Sequence, residues 1–159
     1  MKLIAIAAAL FALAAAPGVA SATAYWAFGA DGKTLAMTDL RTPRLTSGLA
    51  QVYEIVVLRA RTTVIKKPTD YEIIEIDFRC DKGKMQQQYM AVYDGGGTLQ
   101  ASTTKPAAWS KTPSDGPMAQ MMALGCHATK PTLGFPIGDK RVGEIMAAYR
   151  AGRYDHGGK

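Results

Sequence analysis

Tyr71-Glu72-Ile73-Ile74-Glu75-Ile76-Asp77-Phe78-Arg79-Cys80 is the stretch from which the fold is read. Glu72 apart, Ile74, Ile76, Phe78 and Cys80 fall on one face. Ile73, Glu75, Asp77 and Arg79 fall on the other. Side chains of a strand alternate, so this period of two predicts one buried face and one wet face. Cys80 then points into the core. Downstream, Asp81-Lys82-Gly83 turns the chain and Lys84 to Tyr93 returns as a strand. Asp94-Gly95-Gly96-Gly97 makes a further hairpin turn before Thr98 to Thr103. Upstream, Gln51 to Leu58 is rich in β-branched residues. Thr62 to Ile65 continues that strand or starts a short one, and Lys66-Lys67-Pro68 ends it. Before these, Tyr25 to Phe28 and Lys33 to Thr38 flank Gly29-Ala30-Asp31-Gly32, whose Asp-Gly pair suits a hairpin. Strands joined by short turns predict an antiparallel meander.

The pattern then changes period. Lys105 to Pro113 reads as a loop anchored by Trp109. Ser114 or Asp115 can cap a helix with Pro117 in its first turn. Met118, Met121, Met122 and Gly125 recur at helical spacing and Cys126 closes the helix, so the methionines read as core packing. His127 to Gly138 reads as a loop. Asp139 is the expected cap of a second helix with Val142, Ile145, Met146 and Tyr149 as its apolar stripe. Arg150 and Arg153 near its end suit the helix dipole. The expected fold is α+β: an antiparallel sheet with a helix packed on one face, tethered by a disulfide, plus a second terminal helix. The expected organisation is a signal peptide over 1–22, a sheet–helix domain over 23–127, and a linker with an amphipathic helix over 128–159.

The compartment follows from the start of the chain. Lys2 precedes an uncharged apolar run, Leu3 to Ala16. Pro17-Gly18 then breaks it, and Ala20-Ser21-Ala22 offers a small-x-small cleavage site. The run is shorter than the roughly 20 residues that span a bilayer. No cysteine follows it, so no lipid anchor is expected. The alanine-rich leader points to a bacterium, and the expected location is the periplasm, the cell surface or the medium. Removing 22 of 159 residues leaves 137, and the formal charge falls from +6 to +5 with the loss of Lys2. That excess favours weak attraction to anionic surfaces and is no sign of nucleic-acid binding.

Cys80 and Cys126 are the only cysteines. In an oxidising compartment an even pair is most simply a disulfide, with two buried free thiols as the rival. No motif for catalysis survives. Gly32-Lys33-Thr34 lacks the earlier glycine of a phosphate loop. Cys126-His127 points its two side chains in different directions, and His156 is remote. Two isolated histidines build no zinc site, and no cofactor is expected. Glu75 and Asp77, two apart on a strand, read as a solvated face paired with Arg59 or Arg61. The candidate contact residues are therefore basic or aromatic. Arg59, Arg61, Lys66 and Lys67 could form one patch with Lys140, Arg141, Arg150 and Arg153. Tyr53, Tyr93 and Trp26 are conceivable anchors, with core packing the alternative for Trp26.

The layout resembles the surface-adhesin protein E family of exported bacterial proteins. The marks are Trp26 near the mature start, Asp39 ending the first hairpin, Cys80 closing a strand, Tyr93-Asp94-Gly95 closing the next, Pro113-Ser114, and Cys126 twelve residues after that serine. They span about Tyr25 to Cys126. The resemblance implies an antiparallel sheet with a C-terminal helix tethered by a disulfide. It also implies a non-enzymatic adhesin-like protein with protein partners in an extracellular matrix. The expected function is a binding module of the cell envelope with a protein or anionic-glycan partner and membrane-surface contact. The alternative is a periplasmic inhibitor of a cell-wall lytic enzyme, acting through the Asp94 to Thr98 turn or the Lys105 to Pro113 loop.

Overall fold

The computed structural model describes residues 24–155. The leader predicted over 1–22 and His156 lie outside them. Among the described residues, nine strands and two helices follow one another as β1 (Ala24–Ala30), β2 (Thr34–Asp39), β3 (Arg44–Thr46), β4 (Leu49–Val64), β5 (Lys67–Arg79), β6 (Lys84–Tyr93), β7 (Leu99–Thr103), β8 (Ser110–Lys111), α1 (Gly116–His127), β9 (Phe135–Asp139) and α2 (Val142–Arg150). The strands form one sheet in the order β7-β6-β5-β4-β2-β1-β9, with β3 on β4 and β8 on β6. Every pairing is antiparallel. The fold is α+β, and Cys80 and Cys126 are joined, with Cα atoms 5.6 Å apart.

Alternation along the strands produces two cores. Ala27, Leu35, Met37, Ile55, Val57 and Tyr71 share a buried cluster with Ile145, Met146, Ala148 and Tyr149 of α2. Trp26, Phe28, Ala50, Val52, Ile76 and Phe78 share another with Met121 and Cys126 of α1. Val52 and Ile55 on β4, like Ile73 and Ile76 on β5, differ by an odd step, so the two clusters lie on opposite faces of the sheet. The methionine stripe of α1 is core, as read. At Gly125 a Cβ would stand 2.8 Å from Val52 Cγ2 and 3.0 Å from Ala50 Cβ. This helix therefore lies against β4 where only a hydrogen fits.

Four local expectations are corrected. The segment read as a loop, His127 to Gly138, contains the start of β9, which pairs with β1. Pro136 and Gly138 disguise it, and both are tolerated because β9 is an edge strand with few ladder donors to supply. Asp139 ends that strand instead of capping a helix; Arg141 is the N-cap of α2, and its N–H donates to Glu144 Oε2 at 3.1 Å. The stretch Lys105 to Pro113 holds the short β8. Lys67 and Pro68 already belong to β5, because the β4–β5 reversal is the pair Ile65-Lys66. Beyond residue 127, β9 pairs with β1 at the sheet edge and α2 contributes to one of the cores.

Candidate functional site

Of the basic residues singled out from the sequence, Arg59, Arg61, Lys66 and Lys67 lie on an arm, whereas Lys140, Arg141, Arg150 and Arg153 lie on α2 or just beside its ends. β4 pairs with β2 only as far as Leu58, and β5 pairs with β6 only from Tyr71 onward. Past Arg59, whose N–H donates to the Lys33 carbonyl at 2.8 Å, the two strands pair with each other through Thr62↔Thr69, Thr63↔Pro68 and Val64↔Lys67. Four residues of β4, Leu58 to Arg61, stand against Asp70 alone, a wide bulge at the root of the arm.

That bulge is closed by charge. Asp70 has a side chain 2 % exposed. Its Oδ2 accepts from Arg61 Nε at 2.8 Å and from the terminal Arg61 nitrogen at 2.6 Å, and its Oδ1 accepts from Arg150 at 2.6 Å. Burial pushes this carboxyl up, but the bonds and charges of Arg61 and Arg150 outweigh burial and hold it below the usual range. Arg150 also donates to the Leu58 carbonyl. Arg59 donates to the Tyr149 carbonyl at 2.8 Å, pairs with Asp155, and lies 4.0 Å over the Tyr149 ring. Arg59, Arg61 and Arg150 thus fasten the arm to α2 rather than forming an open patch. Lys66 and Lys67 remain exposed at the tip.

Glu75 and Asp77 do not meet Arg59 or Arg61, because the register brings glutamines to them instead. Gln51 donates to Glu75 at 2.8 Å and Gln88 donates to Asp77 at 2.9 Å. Asp77 is buried, which raises its carboxyl pKa. Tyr53 sits half-buried beside this strip and donates to Gln51 Oε1. Trp26 is core: its indole N–H donates to the Leu133 carbonyl at 2.7 Å. Tyr93 stacks on Tyr71 with ring centroids 4.9 Å apart.

A concavity lies between the β6–β7 turn and the start of α2, with a volume of about 1120 Å³. Tyr25 and Tyr71 line it, with Gly95-Gly96-Gly97 on one side and the run from Asp139 to Glu144 on the other, which carries two cations, Lys140 and Arg141, and two carboxylates, Asp139 and Glu144. The glycine turn is closed from within: Asp94 Oδ1 accepts from the N–H of Gly96 and Thr98. Gly97 has φ +85°, and a Cβ on it would lie 3.6 Å from the Tyr71 hydroxyl. At Gly95 a Cβ would meet Met146 Cε at 3.3 Å and Asp70 Oδ2 at 3.6 Å. The cleft wall therefore rests on the charged root of the arm. Burial raises the Tyr25 and Tyr71 pKa values, helped at Tyr25 by Asp39. Both phenols stay neutral near pH 7 and serve as donors and flat apolar surfaces, not as bases. Glu144 and Ile145 give their N–H groups to the Arg141 carbonyl. The first two N–H groups of α2, on Val142 and Gly143, have no partner within the helix, as at every helix start.

The sequence places Lys140 and Arg141 in a helix and the glycines in a hairpin turn, the candidate contact loop of the inhibitor alternative. It had no signal that β9 would bring Asp139 to Glu144 beside Tyr25, since that needs a pairing across most of the chain. Among the described residues no group of three His, Cys, Asp or Glu side chains is placed to hold a metal. Comparison with family models, with curated proteins and with solved structures finds no match to the chain.

Proposed function

We propose that this chain is an exported, non-enzymatic binding module of the bacterial cell envelope, as its resemblance to surface-adhesin E proteins implies, and that its cleft takes an anionic glycan. One observation carries the reading: two neutral tyrosines share a roomy cleft with Lys140, Arg141 and a helix start, while of the two carboxylates that also line it, Asp139 and Glu144, the latter accepts the Arg141 N–H. Aromatic rings offer a face to a sugar's C–H groups, while fixed cations and helix N–H groups select a carboxylate or sulfate. The volume is of the order of a small-ligand site. The cleft is open, which suits a segment of a longer polymer.

Calorimetric titration of the oxidised protein with uronate-containing, sulfated and neutral oligosaccharides tests this. Acidic sugars should bind, neutral ones at least tenfold more weakly, and Lys140→Glu with Arg141→Glu should abolish the difference. Equal binding of neutral and acidic sugars, or no change in the double variant, would remove the cleft from consideration.

A further inference from the structure

A glycan in the cleft leaves the arm beyond Asp70 without a role. Residues 60–63 and 65–68 are exposed, and only Val64 between them is half-buried. The arm's reversal is unusual. Ile65 and Lys66 both adopt left-handed backbone, at φ 48° and 59°, where a two-residue hairpin turn normally carries Asn-Gly or Asp-Gly. A β-branched residue is a poor occupant of that conformation. The strain leaves an isoleucine at the outermost point of the arm, 39 % exposed. Lys66 and Lys67 follow it directly. No acid occurs between Arg59 and Thr69, and Asp70 is buried against two arginines. Every charged residue exposed on the arm is therefore positive, Arg61 among them with a side chain 58 % exposed.

From these observations we infer that the β4–β5 arm is a membrane-surface contact, placing Ile65 at the headgroup boundary of an anionic bilayer with Lys66 and Lys67 against lipid phosphates. An acidic protein surface would also attract the lysines. Protein hot spots, however, are built from Trp, Tyr and Arg filling shaped pockets, and this tip offers a lone aliphatic side chain ringed by lysine, threonine and proline. A deformable surface needs no pocket. The two terms are the ones that interfacial binding combines, apolar insertion and attraction to anionic lipid. The arm is also stiffly mounted: the Asp70 cluster and the Arg59 contacts join its root to α2, so little ordering is lost on docking.

The test is co-sedimentation of the oxidised protein with phosphatidylcholine vesicles, with and without phosphatidylglycerol. Binding should require phosphatidylglycerol and fade as salt rises. Each lysine near an anionic surface contributes about fivefold in partitioning, so Lys66→Gln with Lys67→Gln should lower binding about 25-fold. Ile65→Trp should bind and shift its emission to shorter wavelength on anionic vesicles, beyond any change from Trp26 and Trp109 in the parent. All three positions are exposed, and thermal melting checks that each variant is folded. Absence of parent binding, undiminished binding of the lysine variant, or an unmoved Ile65→Trp emission would each overturn the inference. A shift produced by polyglutamate and not by anionic vesicles would replace the lipid with an acidic protein.

Discussion

Asp70 and Glu54 are carboxylates pushed in opposite directions, and each makes its own demand on pH. Asp70 has a folded pKa below its ordinary value. Its contribution is complete above the unfolded value and is lost as pH falls through the folded one. Asp70→Asn should therefore cost about 1–3 kcal/mol near pH 7. The partly exposed arginines can turn to water, which keeps the loss below that of a fully buried pair. In urea titrations the gap between parent and variant should close as pH falls through the acid range. Glu54 is raised to about 6, by burial first and then by the Glu72 carboxylate. A raised acid stabilises the fold only while protonated, so this site weakens the protein as pH rises from its unfolded value through 6. Glu54→Gln should stabilise by about 1 kcal/mol at pH 7.5 and flatten the neutral limb of the stability curve. A variant no more stable than the parent at that pH would show that Glu54 finds enough water to ionise freely.

At the scale of elements, the hairpin tip and the β9 edge test how geometry overrides residue preference. Replacing Ile65-Lys66 by Asn-Gly gives that reversal residues suited to its left-handed backbone. Stability should rise by about 1–2 kcal/mol, read from the urea midpoint. By the inference above, vesicle binding should fall in the same variant. The edge strand is the opposite case. Gly134 has φ +95°, and a Cβ there would come within 1.9 Å of the Ala27 carbonyl oxygen. Gly134→Ala should force the chain entering β9 away from β1. Hydrogen exchange would then show faster loss of protection in β1 than in β5, which is flanked on both sides.

For the molecule as a whole, the disulfide joins the sheet to α1 across a separation of 46 residues. Closing a loop of this size removes unfolded-state entropy worth roughly 4 kcal/mol. Cys80→Ala with Cys126→Ala should lower the melting temperature markedly. Met121, buried beside Phe78 in the same core, should keep the helix in place near room temperature. Loss of the whole near-ultraviolet signal in that variant would mean that the covalent link, not the packing, holds α1.

Local rules were enough for the strands from Gln51 to Thr103 apart from the reversal at Ile65-Lys66, for the methionine face of α1 and for the apolar stripe of α2. In each of these, periodicity of two or of 3.6 is written into neighbouring residues. The cysteine pair was legible from its even count, with free thiols as the rival, while alternation put Cys80 on the core face and helical spacing put Cys126 at a helix end. β9 was not legible, because Pro136 and Gly138 contradict strand propensity and only the free edge of β1 recruits them. The electrostatic partners were not legible either. Arg61 meets Asp70 across a bulge, and Arg150 arrives 80 residues later on a helix. The cleft needs both events, the return of the chain to β1 and the seating of Gly95 on Asp70 and Met146. Contacts between residues far apart in the chain depend on register and closure, which no local pattern encodes.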